Sequence, residues 1–369
     1  MKNNHSRVRY AVVGLGHIAQ EAVLPAFAAA KENSEVTALV SDDPEKLRKL
    51  GRHLGVTNVC DYEGYDNLLA SGQIDAVYIA LPNSLHRDYV LRAAKAKIHV
   101  LCEKPLGTSE AECRKMIDAC AKANVRLMTA YRLHFERANM EAVEIVQSGK
   151  LGEPRFFQSL FSMQTEPGNI RLKRDLGGGP LYDIGIYCIN AARYIFRAEP
   201  LEVFAFSASN DDKRFTEVDE MSSVMMRFPD DCLASFTCSF GATDTDVYTV
   251  VGTEGTLKVS KAYEYAEPIS LEVTTPKRSM RKTFPKRDQF AAELVYFSDC
   301  VLNHREPEPS GEEGLRDVRI IEAILRSADR NKPIRLKTST AKKRPDRLQV
   351  IERRKTGKKK LVKAKSPAR

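Results

Sequence analysis

Val8-Arg9-Tyr10-Ala11-Val12-Val13-Gly14-Leu15-Gly16-His17-Ile18-Ala19-Gln20 is the most informative segment of this 369-residue chain. An apolar, β-branched run ends in a Gly-x-Gly-x-x-Ala turn, and a second apolar run follows at helical spacing. Gly14 permits the tight turn out of the strand. Gly16 lets the backbone approach a pyrophosphate, and Ala19 keeps the helix close to the strand. The helix then starts with free N–H groups and the positive end of its dipole facing the phosphates. The flanking strand and helix are the context that gives the glycine pattern its meaning. Gly14, Gly16, His17 and Ile18 are therefore expected to line a dinucleotide.

The same alternation continues downstream. Strand-like runs recur at 35–41, 76–80, 99–102 and 126–130. Helical patterns lie between them at 44–54, 86–96 and 110–123. Alternating strands and helices predict a doubly wound parallel sheet with right-handed crossovers. Ligands then bind beyond the carboxyl ends of the strands. Ser41, Lys46, Pro82, Asn83, His86, Glu103, Lys104 and Arg132 all fall at or near those ends, and are expected to hold the cofactor. After Glu136 the texture changes to a helix at 139–148, a strand at 154–163, a helix at 180–196 and several short strands between 201 and 259. This predicts a second, α+β domain with a mainly antiparallel sheet. The expected division is 1–133, 134–337 and a basic tail, 338–369.

The composition is that of a globular chain. No apolar run is long enough to span a membrane, and only seven residues precede the first strand, so neither a signal peptide nor an N-terminal arm is expected. The eight cysteines form no Cys-x-x-Cys and read as reduced, mostly buried residues. The histidines show no metal-ligand spacing, and no metal is expected. These features predict a cytoplasmic protein. The formal charge of +9 is concentrated in the tail, where 338–369 carries 13 basic and 2 acidic residues. So the body is near neutral, and only the tail could attract nucleic acid or an acidic partner. With few large apolar residues and dense like charge, the tail is expected to be largely disordered.

Two segments carry chemistry. Glu103-Lys104-Pro105 follows a strand, where an ammonium can polarise a hydroxyl or carbonyl oxygen. Pro105 stiffens the turn. Gly177-Gly178-Gly179-Pro180 opens the second, with glycines that allow close approach of a ligand. Asp183 and Tyr187 follow at i, i+4, the spacing of one helix face. A carboxylate and a phenol on one face can exchange a proton with a substrate hydroxyl, although the same spacing also fits a helix-start carboxylate and a core tyrosine.

At these residues the chain resembles the glucose–fructose oxidoreductase and inositol dehydrogenase (Gfo/Idh/MocA) family, over about residues 7–336. The likeness rests on Gly14–Ala19, Pro82-Asn83-Ser84-Leu85-His86, Glu103-Lys104-Pro105, Tyr131-Arg132 and Gly177–Asn190. It implies a Rossmann domain followed by an antiparallel sheet often used for oligomerisation, and hence a dimer or tetramer. It implies Lys104, Asp183 and Tyr187 as catalytic residues, and Tyr187 stands where much of the family has histidine. This substitution, with Arg171 in Ile170–Arg174, resembles the glucose–fructose oxidoreductase branch, and Arg171 is expected to meet substrate beside the other three. Phe135 stands where that branch often has a tyrosine. Ser41 and Lys46 resemble that branch's NADP-binding pair, while Asp42 leaves NAD possible. The expected activity is hydride transfer between a nicotinamide and a hydroxyl-bearing carbon of a sugar or polyol. The alternatives are a transhydrogenase that retains its NADP and a non-catalytic dinucleotide sensor.

Overall fold

The computed structural model describes residues 6–337 and 344–368; the start of the basic tail, 338–343, lies outside the described residues. Two compact units emerge. The first comprises residues up to Arg132, Arg287–Leu315 and Ile351–Ser366; the second comprises Leu133–Lys286, Arg316–Val350 and the last residues.

The first unit is built on six parallel strands: β1 (Val8–Val13), β2 (Ser34–Val40), β3 (Asn58–Cys60), β4 (Ala76–Ile79), β5 (His99–Cys102) and β6 (Leu127–Thr129). Their order, β3-β2-β1-β4-β5-β6, is that of a dinucleotide-binding Rossmann sheet, reversing between β1 and β4. Val12, Val13, Val77, Ile79, Val100 and Leu101 are fully buried. Such strands carry apolar residues on both faces because helices cover both. The helix Pro44–Leu54 begins on an Asp43 cap, whose side chain accepts from the Glu45 and Lys46 N–H groups, and ends at left-handed Gly55. The run after Gly16 is less regular than its sequence predicts. It opens with a wide turn, Ala19–Val23, and ends in a 3₁₀ turn, Phe27–Ala29.

The second unit carries a nine-stranded sheet, ordered β14-β13-β12-β11-β7-β10-β9-β8-β15. These are β7 (Pro154–Ser162), β8 (Glu202–Ala208), β9 (Met221–Arg227), β10 (Leu233–Ser239), β11 (Thr245–Gly252), β12 (Thr256–Ser260), β13 (Ile269–Thr275), β14 (Arg278–Phe284) and β15 (Ile334–Arg335). All neighbours are antiparallel except β7 and β10. One face is buried through Phe157, Val224, Phe236, Tyr248 and Val250. Buried Arg193 lies against it, bound by Glu199 at 2.7 Å and Asp317 at 2.5 Å, so its charge is compensated.

Further features differ from the sequence reading. The strands β13 and β14 were not expected; β14, Arg-Ser-Met-Arg-Lys-Thr-Phe, is almost wholly exposed, and its charges suit an edge strand. Residues 287–315 group with the first unit although they follow the second sheet in sequence. The described part of the basic tail is not a free terminus. Arg344 binds Glu199 at 2.6 Å, Val362 is 6% exposed, and Lys359 reaches Glu21 at 3.0 Å. These tail cations thus pair with carboxylates of the chain itself. All eight cysteines are free. Among the described residues, no helix is long and apolar enough to cross a membrane.

Candidate active site

In the first unit, the glycine turn has the geometry a dinucleotide requires. Gly14 has φ +92°, and a Cβ there would lie 2.5 Å from the Ala80 carbonyl oxygen. Only glycine fits that crossing of β1 over β4. At Gly16 a Cβ would meet nothing within 4 Å, so the backbone is open toward a ligand. Ser41 is 2% exposed, and its Oγ accepts from the Asp43 N–H at 3.2 Å. Lys46 follows in the first turn of the next helix, and His17, Ile18, Pro82 and Asn83 are partly exposed around these strand ends. The cradle fits a dinucleotide.

The Glu103-Lys104-Pro105 turn is held from both sides. Glu103 accepts from the Tyr78 hydroxyl at 2.8 Å and from the Lys104 N–H at 3.2 Å. Burial raises the Glu103 pKa, against the pull of the neighbouring Lys104 charge. The Tyr78 hydroxyl also lies 3.4 Å from Glu293, a fully buried carboxyl raised well above the usual range by desolvation. On the other side, His86 has its ring nitrogens 2.9 Å from the Pro105 oxygen and 3.0 Å from the Leu81 oxygen. It is completely buried. His86, expected near the cofactor, ties the Leu81 loop to the Lys104–Pro105 turn, and burial lowers its pKa. Arg132, also expected near the cofactor, is turned inward in the same way. It is 5% exposed, donates to Gln289 and lies over the Phe290 ring. Gln289 and Glu293 were missed by the sequence reading. Buried polar residues in the mainly apolar helix Gln289–Leu302 were the available signal.

In the second unit, the glycine triplet serves the chain itself. A Cβ at Gly178 would lie 2.3 Å from the Arg171 oxygen and 2.7 Å from the Lys173 oxygen. The Gly178 and Gly179 N–H groups donate to those two residues' carbonyls, Lys173 and Arg171 respectively. The expected approach to a ligand is thus, at Gly178, an approach to the 171–173 loop. That packing delivers Arg171, whose Nε donates to Asp183 at 2.6 Å. Asp183 lies in a wide, π-type turn, Leu181–Gly185, which passes into the α-helix Ile186–Phe196. The segment expected as one regular helix therefore changes pitch between Asp183 and Tyr187, and such turns recur at functional sites. The Tyr187 ring is half-buried beside Phe161 and Tyr263, each at 5.8 Å between centroids. Asn190, on the same helix, is committed to structure: its Oδ1 accepts from His134 Nε2 at 2.9 Å and its Nδ2 donates to Asp317 at 2.9 Å.

A Rossmann sheet with this glycine cradle, followed by an antiparallel sheet domain, defines a dinucleotide-dependent oxidoreductase. Comparison with known proteins agrees. Residues 8–131 match the oxidoreductase family with an NAD-binding Rossmann fold, and residues 139–258 match the GFO/IDH/MocA C-terminal domain. Among relatives is a D-xylose 1-dehydrogenase [NADP(+)] of Haloarcula marismortui, 32% identical over 89% of this chain and 93% of that protein. Among solved structures, an aldose-aldose oxidoreductase from Caulobacter crescentus, complexed with glycerol, shares 37% identity. It has a TM-score of 0.85, over 89% of this chain and 100% of the other. A 3-ketoreductase from Actinomadura kijaniata, in complex with NADP and TDP-benzene, has a TM-score of 0.80 at 27% identity. That match covers 87% of this chain and 98% of the other. This chain belongs to the GFO/IDH/MocA family of oxidoreductases.

Proposed function

We propose that the chain is an NADP-dependent dehydrogenase or reductase acting on a hydroxyl-bearing carbon of an aldose or related polyol. The observation that carries the substrate class is Asp183, held by Arg171 ahead of Tyr187. A carboxylate, a guanidinium and a phenol together offer acceptors and donors to a ligand rich in hydroxyls. The relatives named for xylose and aldose chemistry support it. A nicotinamide, when bound, supplies the hydride acceptor or donor. Lys104 polarises the reacting oxygen and stabilises negative charge there. Tyr187 moves the hydroxyl proton, and Asp183, fixed by Arg171, orients the phenol and the substrate. Gly14, Gly16, His17, Ile18, Pro82 and Asn83 cradle the dinucleotide, with Ser41 and Lys46 at the ribose end.

Lys104→Met is expected to lower turnover by about 100- to 1000-fold while dinucleotide affinity changes a few-fold. Tyr187→Phe should cost at least about 100-fold, and Tyr187→His should retain more activity. Sugar screening at 340 nm with NADP and NAD measures all of these. Equal activity of the Phe and His variants would make Tyr187 a packing residue.

A second reading, a transhydrogenase with retained NADP, is favoured by the likeness to the aldose-aldose oxidoreductase. Dialysed protein that converts a sugar pair with no added nucleotide would establish it. The exposed apolar side chains of Phe156, Leu160, Phe206, Met225 and Leu233 lie on β7 to β10, and support self-association through that sheet. Light scattering of wild type against Phe206→Glu tests it. The eight free cysteines support a reducing, cytoplasmic setting.

A further inference from the structure

The C-terminal tail touches two elements of the dinucleotide cradle within the first unit. Gln20, 1% exposed, sits in the turn that follows Gly16. Its Nε2 donates to the Leu15 oxygen at 2.7 Å and to the Val362 oxygen at 3.1 Å, and its Oε1 accepts from the Val362 N–H at 2.7 Å. The glycine turn and the tail are thus joined through one buried amide. The next residue, Lys363, adopts φ +47°, a conformation unusual for a side chain of this kind. Its ammonium lies 3.2 Å from Asp43 and 3.0 Å from Glu45.

Those two carboxylates stand at the ribose end of the site. Asp42, Asp43 and Glu45 follow Ser41 there, with Lys46 the basic residue among them. Left to itself this loop would repel a phosphate on the ribose 2′-oxygen, and would select NAD. Lys363 compensates it from 320 residues away in sequence. Behind it lies a cavity of about 480 Å³, lined by Arg48, Lys49, Arg52, Lys360 and Lys363 with Glu45 as its acidic member. These cations add positive charge close to the acidic loop.

We propose that the tail is a specificity element of the dinucleotide site: Lys363, placed by the Gln20–Val362 pair, offsets Asp43 and Glu45 so that a 2′-phosphorylated adenosine is accepted. This rests on the proposed NADP dependence. Upstream, Gly357 presses against Pro25, where a Cβ would fall 1.9 Å from the carbonyl oxygen. The Asp288 N–H donates to the Arg353 oxygen at 2.8 Å. These contacts fix the path that leads the tail to Val362.

The test uses 2′-phospho-ADP-ribose and ADP-ribose, which lack the nicotinamide, so binding is read without turnover. Calorimetric titration of the full chain should show preference for the 2′-phosphorylated ligand. Lys363→Gln should reduce that preference about 10-fold and Lys363→Glu about 100-fold, with ADP-ribose affinity held within about two-fold. Lys365→Gln, on the same tail, should leave the preference intact. A preference unchanged by Lys363→Glu, or equal weakening of both ligands, overturns the proposal while leaving the oxidoreductase reading in place. A wild-type chain that binds ADP-ribose better overturns the NADP assignment beneath it. One that binds neither ligand overturns the dinucleotide reading itself.

Discussion

The two units hold their candidate catalytic groups by different means. In the first, Lys104 sits on a turn braced by a buried histidine and a buried tyrosine–carboxylate contact. In the second, Asp183 meets Arg171 in an ion pair whose side chains are 27% and 17% exposed. A buried brace resists solvent and salt and is costly to break, because each orphaned polar group keeps its desolvation penalty. A partly exposed ion pair is weaker in energy and easier to re-form. The first unit therefore reads as a rigid platform. The second holds its carboxylate through a contact that solvent reaches more easily.

The glycines give the sharpest way to break this contrast. Gly14→Ala meets the Ala80 carbonyl in a left-handed conformation, and Gly178→Ala meets the Arg171 carbonyl. Each should lower stability by roughly 2–4 kcal/mol. Only Gly14→Ala should also abolish dinucleotide binding in a fluorescence titration. Gly178→Ala should keep binding but lose turnover, because Arg171 moves. Wild-type turnover in Gly178→Ala would detach Arg171 from catalysis.

Acid and base should act on the two units in opposite directions. In the first, His99 accepts from the Arg126 N–H at 2.9 Å, and burial pushes its pKa from 6.5 down to about 4. Its folded form is neutral, so its contribution is complete above pH 6.5 and is lost as pH falls through 4. In the second, burial pushes Asp246 from 3.8 up to about 7, with Glu264 adding to the rise and Lys261 opposing it. Its folded form prefers the proton, so its contribution is complete below 3.8 and is lost as pH rises through 7. His99→Gln should flatten the acid limb of a melting-temperature profile. Asp246→Asn should raise the melting temperature at pH 8 and leave it unchanged at pH 4. Each is worth on the order of 2 kcal/mol. Parallel responses of the two variants would refute the contrast.

The smallest expected effect is at the ion pair. Arg171→Lys keeps the charge but loses the planar fork. Turnover should fall about 10-fold, and KM for sugar should rise more than KM for nucleotide. A larger loss would make Arg171 as rigidly required as Lys104.

Much of the first unit was legible because buried parallel strands are written as short apolar runs between glycine turns and helix caps. Val8–Val13, His99–Cys102 and Pro44–Leu54 fall where the pattern puts them. The exposed edge strand β14 was not, since no alternation of apolar residues marks it. Site residues were located by position at strand ends, but position does not reveal what a side chain faces. His86 and Arg132 lie at such ends and turn inward onto Pro105 and Gln289. The tail misled for another reason. Composition counts the apolar surface a segment could bury by itself, and Val362 is buried against a surface supplied by residues far away in sequence.

The sequence by itself determined the strand–helix alternation and the glycine cradle at Gly14–Ala19, and it singled out Lys104, Asp183 and Tyr187 as candidate groups. Each follows from local periodicity or from a short motif whose atoms lie within a few residues of one another. The tertiary structure alone decided that Gly178 serves Arg171, that His86 is a brace, and that Lys363 faces Asp43. Those outcomes depend on contacts between segments separated by up to 320 residues. No local pattern encodes such contacts, because they exist only once the intervening chain has packed.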